Sequence, residues 1–364
     1  MNARATIVFC LAAFAAACGS SAGVGGNTEE GTAGPGSRGD NGGDKASGSN
    51  NGNSGSNNGN TGGVAPVDTR LGAPYPIVLV HGMAGFDKLT IGPVSVDYWN
   101  HVRDALARDG EFEVFETVAP PYDTSENRAG AIVSQLQDIL TKTNRKKLNL
   151  VGHSQGGMDA RVLASPNGYA LDYIASVTTI STPHRGSKVA DVALGLIPGF
   201  ATNTLNDAAS ALLGVIEKTA YDIQSSTNLL GQAQELTTSY MANTFNPKYI
   251  DAPGVHYESY AGRTNLRSGA GVCDKSTYPN LPDKVDAAQP LMLPTALLLE
   301  DGSGVVNDGL VTVDSAKWGE FMQCVPADHL QEVGNINING ATATSFDFET
   351  FYRDLVQRLR AQGY

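Results

Sequence analysis

One stretch of the chain carries a pattern that prepares a serine for nucleophilic attack. The apolar run 148–151 ends at Gly152, and Ser154 follows in the pattern G-x-S-x-G, which closes at Gly156. This spacing predicts a buried strand, a tight turn and a helix, with the serine hydroxyl projecting from the turn. Glycine at 152 and 156 leaves room for the strand and the helix to pass closely. Because a serine hydroxyl is a weak nucleophile, the pattern requires a nearby base and an acid.

Asp308 and His329 are the candidate acid and base. Asp308 stands in a turn after an apolar segment, and His329 follows later in the chain. The mechanism needs a histidine that takes the Ser154 proton and returns it to the leaving alcohol, and an acid that fixes the imidazole tautomer. His184 is a rival base. The rival acids are Asp286, Asp301, Asp314 and Asp328, the last of which adjoins His329 too closely in sequence for the usual geometry.

Strand and helix patterns alternate around the serine stretch. The predicted strands are 75–80, 112–115, 148–151, 174–180 and 255–262, and the predicted helices are 98–108, 125–140, 158–164 and 344–360. Ser125 is predicted to cap the second helix, and Thr344 with Asp347 the last. This alternation predicts a mostly parallel sheet with helices on both faces. With the serine turn it indicates an α/β-hydrolase fold, which requires the order serine, acid, histidine along the chain.

The first predicted strand, 75–80, ends in His81-Gly82-Met83. In this fold the loop after such a strand supplies one backbone N–H to the oxyanion of the tetrahedral intermediate. We expect the N–H of Met83 to be that donor, and the N–H of Gln155 to be the second. The His81 side chain is interpreted as a brace for the loop, because the donor is the backbone.

Together these motifs resemble the bacterial triacylglycerol lipases of the Pseudomonas–Burkholderia type. The resemblance spans 75–334 and is carried by 75–85, 151–157, 176–187, 307–311 and His329-Leu330. It implies a helical lid, hydrolysis of long-chain acylglycerols, and a triad of Ser154, Asp308 and His329. Whether folding needs a dedicated chaperone as a partner stays open.

The resemblance also implies a structural calcium ion beside the histidine loop. Its ligand positions match Asp286, Gln331 and Asn335 in this chain. Since carboxylate charge is a main source of calcium affinity, neutral amides at two of these positions predict weak binding. The chemistry itself needs no cofactor. The half-cystine that the family carries after Asn307-Asp308-Gly309 is also missing, because Val313 stands there.

Residues 189–240 form an apolar series with few charges, broken by Gly195, Pro198 and Gly199. One interpretation is a helical insertion packed on the core. The other is a mobile lid, whose apolar inner face covers the site and binds lipid when open. Because the glycine and proline breaks suit a hinge, we expect the lid.

The chain begins with a targeting pattern. Arg4 precedes an apolar run at 7–17, which is too short for a stable transmembrane helix and predicts a signal peptide over 1–18. Small residues directly before Cys18 resemble a bacterial lipobox, although Ala15 replaces the usual leucine, so we expect Cys18 to be lipidated, with ordinary secretion as the alternative. Residues 19–67 are small and polar without an aromatic, which predicts a disordered tether with a reach of roughly 35–40 Å.

Cys10 lies in the apolar run of the signal peptide and has no predicted role. Two cysteines lie outside the targeting segment. In an exported protein they are expected to form a disulfide, Cys273–Cys324. The α/β-hydrolase domain is predicted to cover 68–364. Its expected location is the cell envelope, anchored at the outer membrane or cell surface, or the medium if secreted.

The formal net charge of -12 argues against a nucleic-acid partner, since phosphate binding needs clustered Lys and Arg. The sequence therefore predicts a serine ester hydrolase acting on lipid esters at a membrane or oil–water interface. A short-chain esterase or polyester depolymerase is the alternative within enzymes. A non-catalytic surface protein that binds lipid is the alternative from another class.

Overall fold

The computed structural model describes residues 68–83, 85, 88–91, 94–196, 228–264, 273, 288–289, 292–334 and 346–364. The chain divides into a unit Met1–Asp68, of which Asp68 alone is described, and a unit Thr69–Tyr364. The predicted signal peptide, Cys18, the tether and most of the predicted lid lie outside the described residues. Within them, no helix combines the length and hydrophobicity that a membrane crossing requires.

Eight strands and ten helices make up the described part of the second unit. The strands are β1 Ile77–Val80, β2 Lys88–Ile91, β3 Val94–Asp97, β4 Val114–Thr117, β5 Leu148–His153, β6 Ile174–Ile180, β7 His256–Gly262 and β8 Glu320–Val325. The helices are α1 Val102–Arg108, α2 Ser125–Thr143, α3 Gln155–Ala164, α4 Lys188–Ala193, α5 Leu229–Glu235, α6 Thr238–Tyr240, α7 Asn246–Lys248, α8 Leu293–Glu300, α9 Val313–Ala316 and α10 Phe348–Ala361. A π-helical turn Met241–Phe245 joins α6 to α7, and a 3₁₀ turn spans Gln331–Val333.

Six strands form one sheet in the order β4-β1-β5-β6-β7-β8, and each neighbouring pair is parallel. Strands β2 and β3 pair antiparallel as a separate ribbon. The prediction of a mostly parallel sheet flanked by helices is therefore confirmed. Because the carboxyl ends of parallel strands meet at one edge, the loops after β1, β5, β6, β7 and β8 are brought together there.

The alternating side chains of β1 show how helices cover both faces of the sheet. Ile77 and Leu79 pack in a cluster with residues of α1 and α10. Val78 and Val80 pack in a second cluster with residues of α2 and α3. Every residue of β5 is buried, as expected for a central strand covered on both sides.

Some element boundaries differ from the sequence prediction. Helix α1 begins at Val102 rather than at Tyr98, which lies in a turn. Helix α2 is capped by Thr124, whose side chain accepts from the N–H of Asn127, and the prediction that Ser125 caps it is wrong. The N–H of Ser125 instead donates to the carboxylate of Glu235 at 2.6 Å. The cap therefore lies one residue before the predicted one.

The structure joins Cys273 and Cys324 in a disulfide, with a Cα–Cα distance of 5.5 Å. Cys324 lies on β8, so the bond ties residue 273 to this strand of the sheet. The predicted pairing is present.

Candidate active site

Ser154 occupies the turn between β5 and α3 with φ 56° and ψ -129°. A non-glycine residue at positive φ is strained and persists only where its surroundings impose the conformation. Here the N–H of Ser154 donates to the carbonyl of Ile180 at 2.9 Å, and its carbonyl accepts from the hydroxyl of Thr182 at 2.7 Å. The end of β6 and the segment after it therefore hold the serine turn in place.

The two glycines of the pattern are required by close packing. A Cβ at Gly152 would lie 2.5 Å from the N atom of Gly157, which confirms the predicted close approach of strand and helix. A Cβ at Gly156 would lie 2.1 Å from the carbonyl oxygen of Val80. The second glycine therefore makes room for the neighbouring strand β1 rather than for β5.

Asp308 and His329 are brought together and buried. Nδ1 of His329 lies 2.8 Å from Oδ2 of Asp308, and the N–H of His329 donates to the carbonyl of Asp308 at 3.0 Å. The other carboxyl oxygen, Oδ1, accepts from the N–H groups of Leu310 and Val311 at 2.8 and 2.6 Å. Because the carboxylate only accepts, the neutral imidazole carries its proton on Nδ1 and leaves Nε2 as a proton acceptor.

The imidazole of His329 lies beside the serine turn. Its ring centroid is 4.6 Å from that of His153, which directly precedes Ser154. Burial lowers the pKa of His153 well below its usual value, and the neighbouring His329 adds to this shift. His153 is therefore neutral at pH 7.

The rival residues are placed elsewhere. Asp301 and Asp314 are exposed and pair with lysines. The carboxylate of Asp328 accepts from the backbone N–H groups of Gln289, Leu330 and Gln331. His184 is buried, with Nε2 3.0 Å from the hydroxyl of Thr179. The remaining rival acid, Asp286, lies outside the described residues.

A buried arginine holds the loop after β1. The guanidinium of Arg128 donates to the carbonyls of His81, Gly82 and Pro120 at 2.6, 3.2 and 2.5 Å. Its Nε lies 2.9 Å from the carboxylate of Asp159 on α3, and both side chains are fully buried. The arginine thereby links the loop that contains Met83 to the helix that follows the serine turn.

His81 braces the same loop. Burial, and then the charge of Arg128, lower the pKa of His81 to about 3, so its imidazole is neutral at pH 7. Nε2 accepts from the N–H of Ala119 at 3.0 Å, and Nδ1 donates to the carbonyl of Gly82 at 2.9 Å. Both ring nitrogens are occupied by backbone groups, in agreement with the interpretation of His81 as a brace.

Comparisons with known proteins place this chain in a family. The alpha/beta hydrolase fold family matches residues 75–222. The triacylglycerol lipase of Vibrio cholerae is 30% identical over 305 residues, which cover 79% of this chain and 88% of that protein. The chain belongs to the triacylglycerol lipase family. The enzyme is therefore a carboxylic ester hydrolase, and the resemblance found in its motifs is confirmed.

Two further comparisons agree. The triacylglycerol lipase of Burkholderia plantarii is 28% identical to the enzyme over 329 residues, covering 81% of this chain and 88% of the relative. The solved structure of EstA from Clostridium botulinum superposes with a TM-score of 0.54 at 20% identity, covering 80% of this chain and 89% of that chain. At that identity the second likeness concerns the fold alone.

The enzyme's predicted calcium ligands are described only in part, because Asp286 and Asn335 lie outside the described residues. Gln331 is buried, and its side-chain oxygen accepts from the N–H of Asp328 at 2.8 Å. Its neutral oxygen therefore already stabilises the histidine loop from within, and calcium binding stays a prediction. Among the described residues, one group of side chains could hold a metal ion, namely His153, His329 and Glu332. Every member of this group has a hydrogen-bond partner within the protein.

Three residues of the enzyme's site were not singled out by the sequence: Tyr98, Arg128 and Glu332. Arg128 stands on the apolar face of α2, where a cation is out of place without a buried partner. Glu332 follows three residues after His329 and is fully buried. Burial and the nearby carboxylate of Asp308 raise the pKa of Glu332 well above its usual value. Tyr98 carried no signal, since in the sequence it was only the first residue of a predicted helix.

Replacing Arg128 by methionine is expected to destabilise the enzyme by about 3–5 kcal/mol, because it leaves the buried carboxylate of Asp159 without a countercharge. Urea unfolding followed by circular dichroism measures the change. Arg108→Met is the matched control, since Arg108 pairs with Glu349 at the surface and such pairs contribute about 1 kcal/mol at most. Equal unfolding midpoints for the two variants would contradict the prediction.

Proposed function

We propose that the enzyme is an exported triacylglycerol lipase that cleaves lipid esters through an acyl-enzyme on Ser154. The observation that carries this proposal is the strained Ser154 turn lying beside the hydrogen-bonded pair Asp308–His329. A strand–turn–helix of this kind exposes a serine hydroxyl at the carboxyl edge of the sheet. Membership in the lipase family supports a lipid ester as the substrate.

In the first half of the reaction, Nε2 of His329 takes the proton of the Ser154 hydroxyl while the oxygen attacks the ester carbonyl carbon. The backbone N–H groups of Met83 and Gln155 donate to the oxyanion that forms. When the intermediate collapses, His329 gives its proton to the leaving alcohol and the acyl group stays on Ser154. Asp308 keeps the imidazole in the required tautomer and stabilises the imidazolium.

In the second half, water replaces the alcohol. His329 takes a proton from the water while the water oxygen attacks the acyl carbon. It then gives that proton to the Ser154 oxygen as the carboxylic acid leaves. The same two N–H groups hold the second oxyanion. No step requires a metal ion.

The proposed location has its support in the sequence. An apolar run too short to span a membrane, small residues before Cys18 and a polar tether over 19–67 fit a lipid-anchored protein held off a membrane surface. The disulfide Cys273–Cys324 fits an oxidising compartment outside the cytoplasm.

An acyl-chain series tests the substrate class. Purified enzyme is incubated with p-nitrophenyl esters of increasing acyl length and with emulsified long-chain and short-chain triacylglycerols, with and without a calcium chelator. We expect turnover of the long-chain emulsion and labelling by a fluorophosphonate probe. Turnover confined to short soluble esters or to a polyester film would instead indicate the esterase or depolymerase alternative. Absence of labelling and turnover would leave the lipid-binding alternative. Loss of activity with chelator, restored by Ca²⁺, would indicate that the calcium site forms.

A further inference from the structure

We propose that Tyr98 and Glu332 are positioning residues at the two ends of a buried hydrogen-bond chain through His153, which ties the Met83 loop to the Asp308–His329 pair. This inference rests on the proposed function, because it assigns that loop to the oxyanion and that pair to the nucleophile.

Tyr98 forms the end of the chain that meets the loop. Its hydroxyl oxygen accepts from the N–H of Gly82 at 3.0 Å. Gly82 directly precedes Met83 in the chain. A Cβ at Gly82 would lie 2.8 Å from this oxygen and 2.7 Å from the Cβ of Ser154. The backbone at residue 82 is therefore fixed between the tyrosine hydroxyl and the serine turn, and the position of the following N–H depends on it.

His153 forms the middle of the chain. The hydroxyl of Tyr98 is also hydrogen-bonded to Nδ1 of His153 at 2.6 Å. The other ring nitrogen, Nε2, lies 3.1 Å from Oε2 of Glu332. Because each ring nitrogen has one partner, the positions of Tyr98 and Glu332 are coupled through the imidazole of His153. Its ring also packs against that of His329.

Glu332 forms the end of the chain that meets the acid. Its Oε1 accepts from the hydroxyl of Ser181 at 2.7 Å, and that hydroxyl accepts from the N–H of Gly262 at 2.8 Å. A Cβ at Gly262 would lie 1.7 Å from Oε1 of Glu332 and 2.8 Å from the Cβ of Asp308, so both side chains pack on this glycine.

The chain has a functional consequence because both of its ends meet groups assigned to the reaction. An oxyanion donor acts only when it is fixed where the charge develops. Removing a buried partner leaves the groups on either side without a hydrogen bond, and they move or recruit water. Damage at either end should therefore slow the chemical step rather than weaken substrate binding.

Tyr98→Phe tests the end at the loop. We expect kcat to fall about tenfold with KM within twofold, less than the roughly 10²–10³-fold loss on removal of an oxyanion donor itself. Tyr352→Phe is the matched control, because the Tyr352 hydroxyl is buried nearby and has no hydrogen-bond partner within the described part of the chain. Its kcat should stay within about twofold of wild type. Urea midpoints measured on both variants check that each is folded in the assay.

Glu332→Leu tests the opposite end and the continuity of the chain. A leucine of similar size can hydrogen-bond neither to His153 nor to Ser181, and kcat should fall about tenfold. Because both variants act through His153, the double variant Tyr98→Phe/Glu332→Leu should lose less than the product of the two single losses. Tyr352→Phe combined with Glu332→Leu should give the product.

The outcomes separate the inference from the proposed function. Wild-type enzyme that neither turns over esters nor reacts with a fluorophosphonate probe would overturn the function, and the inference with it. Active wild-type enzyme whose folded Tyr98→Phe variant equals Tyr352→Phe in kcat would overturn the inference alone. Strictly multiplicative losses in the double variant Tyr98→Phe/Glu332→Leu would also overturn it, because the two ends would then act independently.

Discussion

Ser154→Ala is expected to lower kcat for p-nitrophenyl ester hydrolysis by about 10⁶-fold, since loss of the nucleophile leaves oxyanion stabilisation and binding as the remaining sources of catalysis. The fold should be retained, because alanine occupies the same positive-φ turn with one atom fewer. Active-site titration with a fluorophosphonate probe and stopped-time assays at high enzyme concentration measure the residual activity of the variant.

The control is Ser134→Ala, the same chemical change at an exposed position of α2, which should keep wild-type activity. Since the triad acts as a unit, His329→Ala added to Ser154→Ala should cost almost nothing further. Covalent labelling of the Ser154→Ala protein at wild-type stoichiometry would show that another nucleophile carries the reaction.

The serine turn could be predicted because the residues that signal it are consecutive, although contacts from β1 and β6 hold it in place. An apolar strand, two glycines that leave no room for a Cβ, and a helix behind them occupy consecutive residues, and the structure forms that turn with Ser154 at φ 56°. The sheet could be predicted for a similar reason, since runs of strand length alternate with helical periodicity. Asp308 and His329 needed one more premise, the chain order that the fold requires.

The supports of the site could not be predicted, because their partners are distant in sequence. Arg128 holds carbonyls of the loop after β1, and its position on the apolar face of α2 indicates a buried partner without identifying it. Glu332 bonds His153 across 179 positions, which no periodicity reveals. The contact between the N–H of Ser125 and the carboxylate of Glu235 likewise joins residues 110 positions apart. Local sequence patterns therefore predict the helices and strands. The hydrogen bonds that position the site residues form only when these elements pack together.

Asp308→Asn is expected to lower kcat by about 10⁴-fold while KM changes little, because the imidazole is held in the wrong tautomer. The two N–H groups that Oδ1 accepts from fix the orientation of the side chain. An asparagine there keeps its carbonyl oxygen on those donors and turns its amide N–H toward Nδ1 of His329. Nδ1 must then accept, so the proton sits on Nε2, which can no longer receive the Ser154 proton. Steady-state kinetics on a soluble ester measure both constants.

Asp314→Asn is the matched control for this change. Asp314 is an exposed rival acid that pairs with Lys317, so its replacement should leave kcat within about twofold of wild type. Asp308→Asn added to His329→Ala should lose little beyond His329→Ala alone, because the acid works only through the imidazole. An Asp308→Asn variant within tenfold of wild type would mean that Nε2 still accepts a proton, and the role of Asp308 as the group that fixes the tautomer would be wrong.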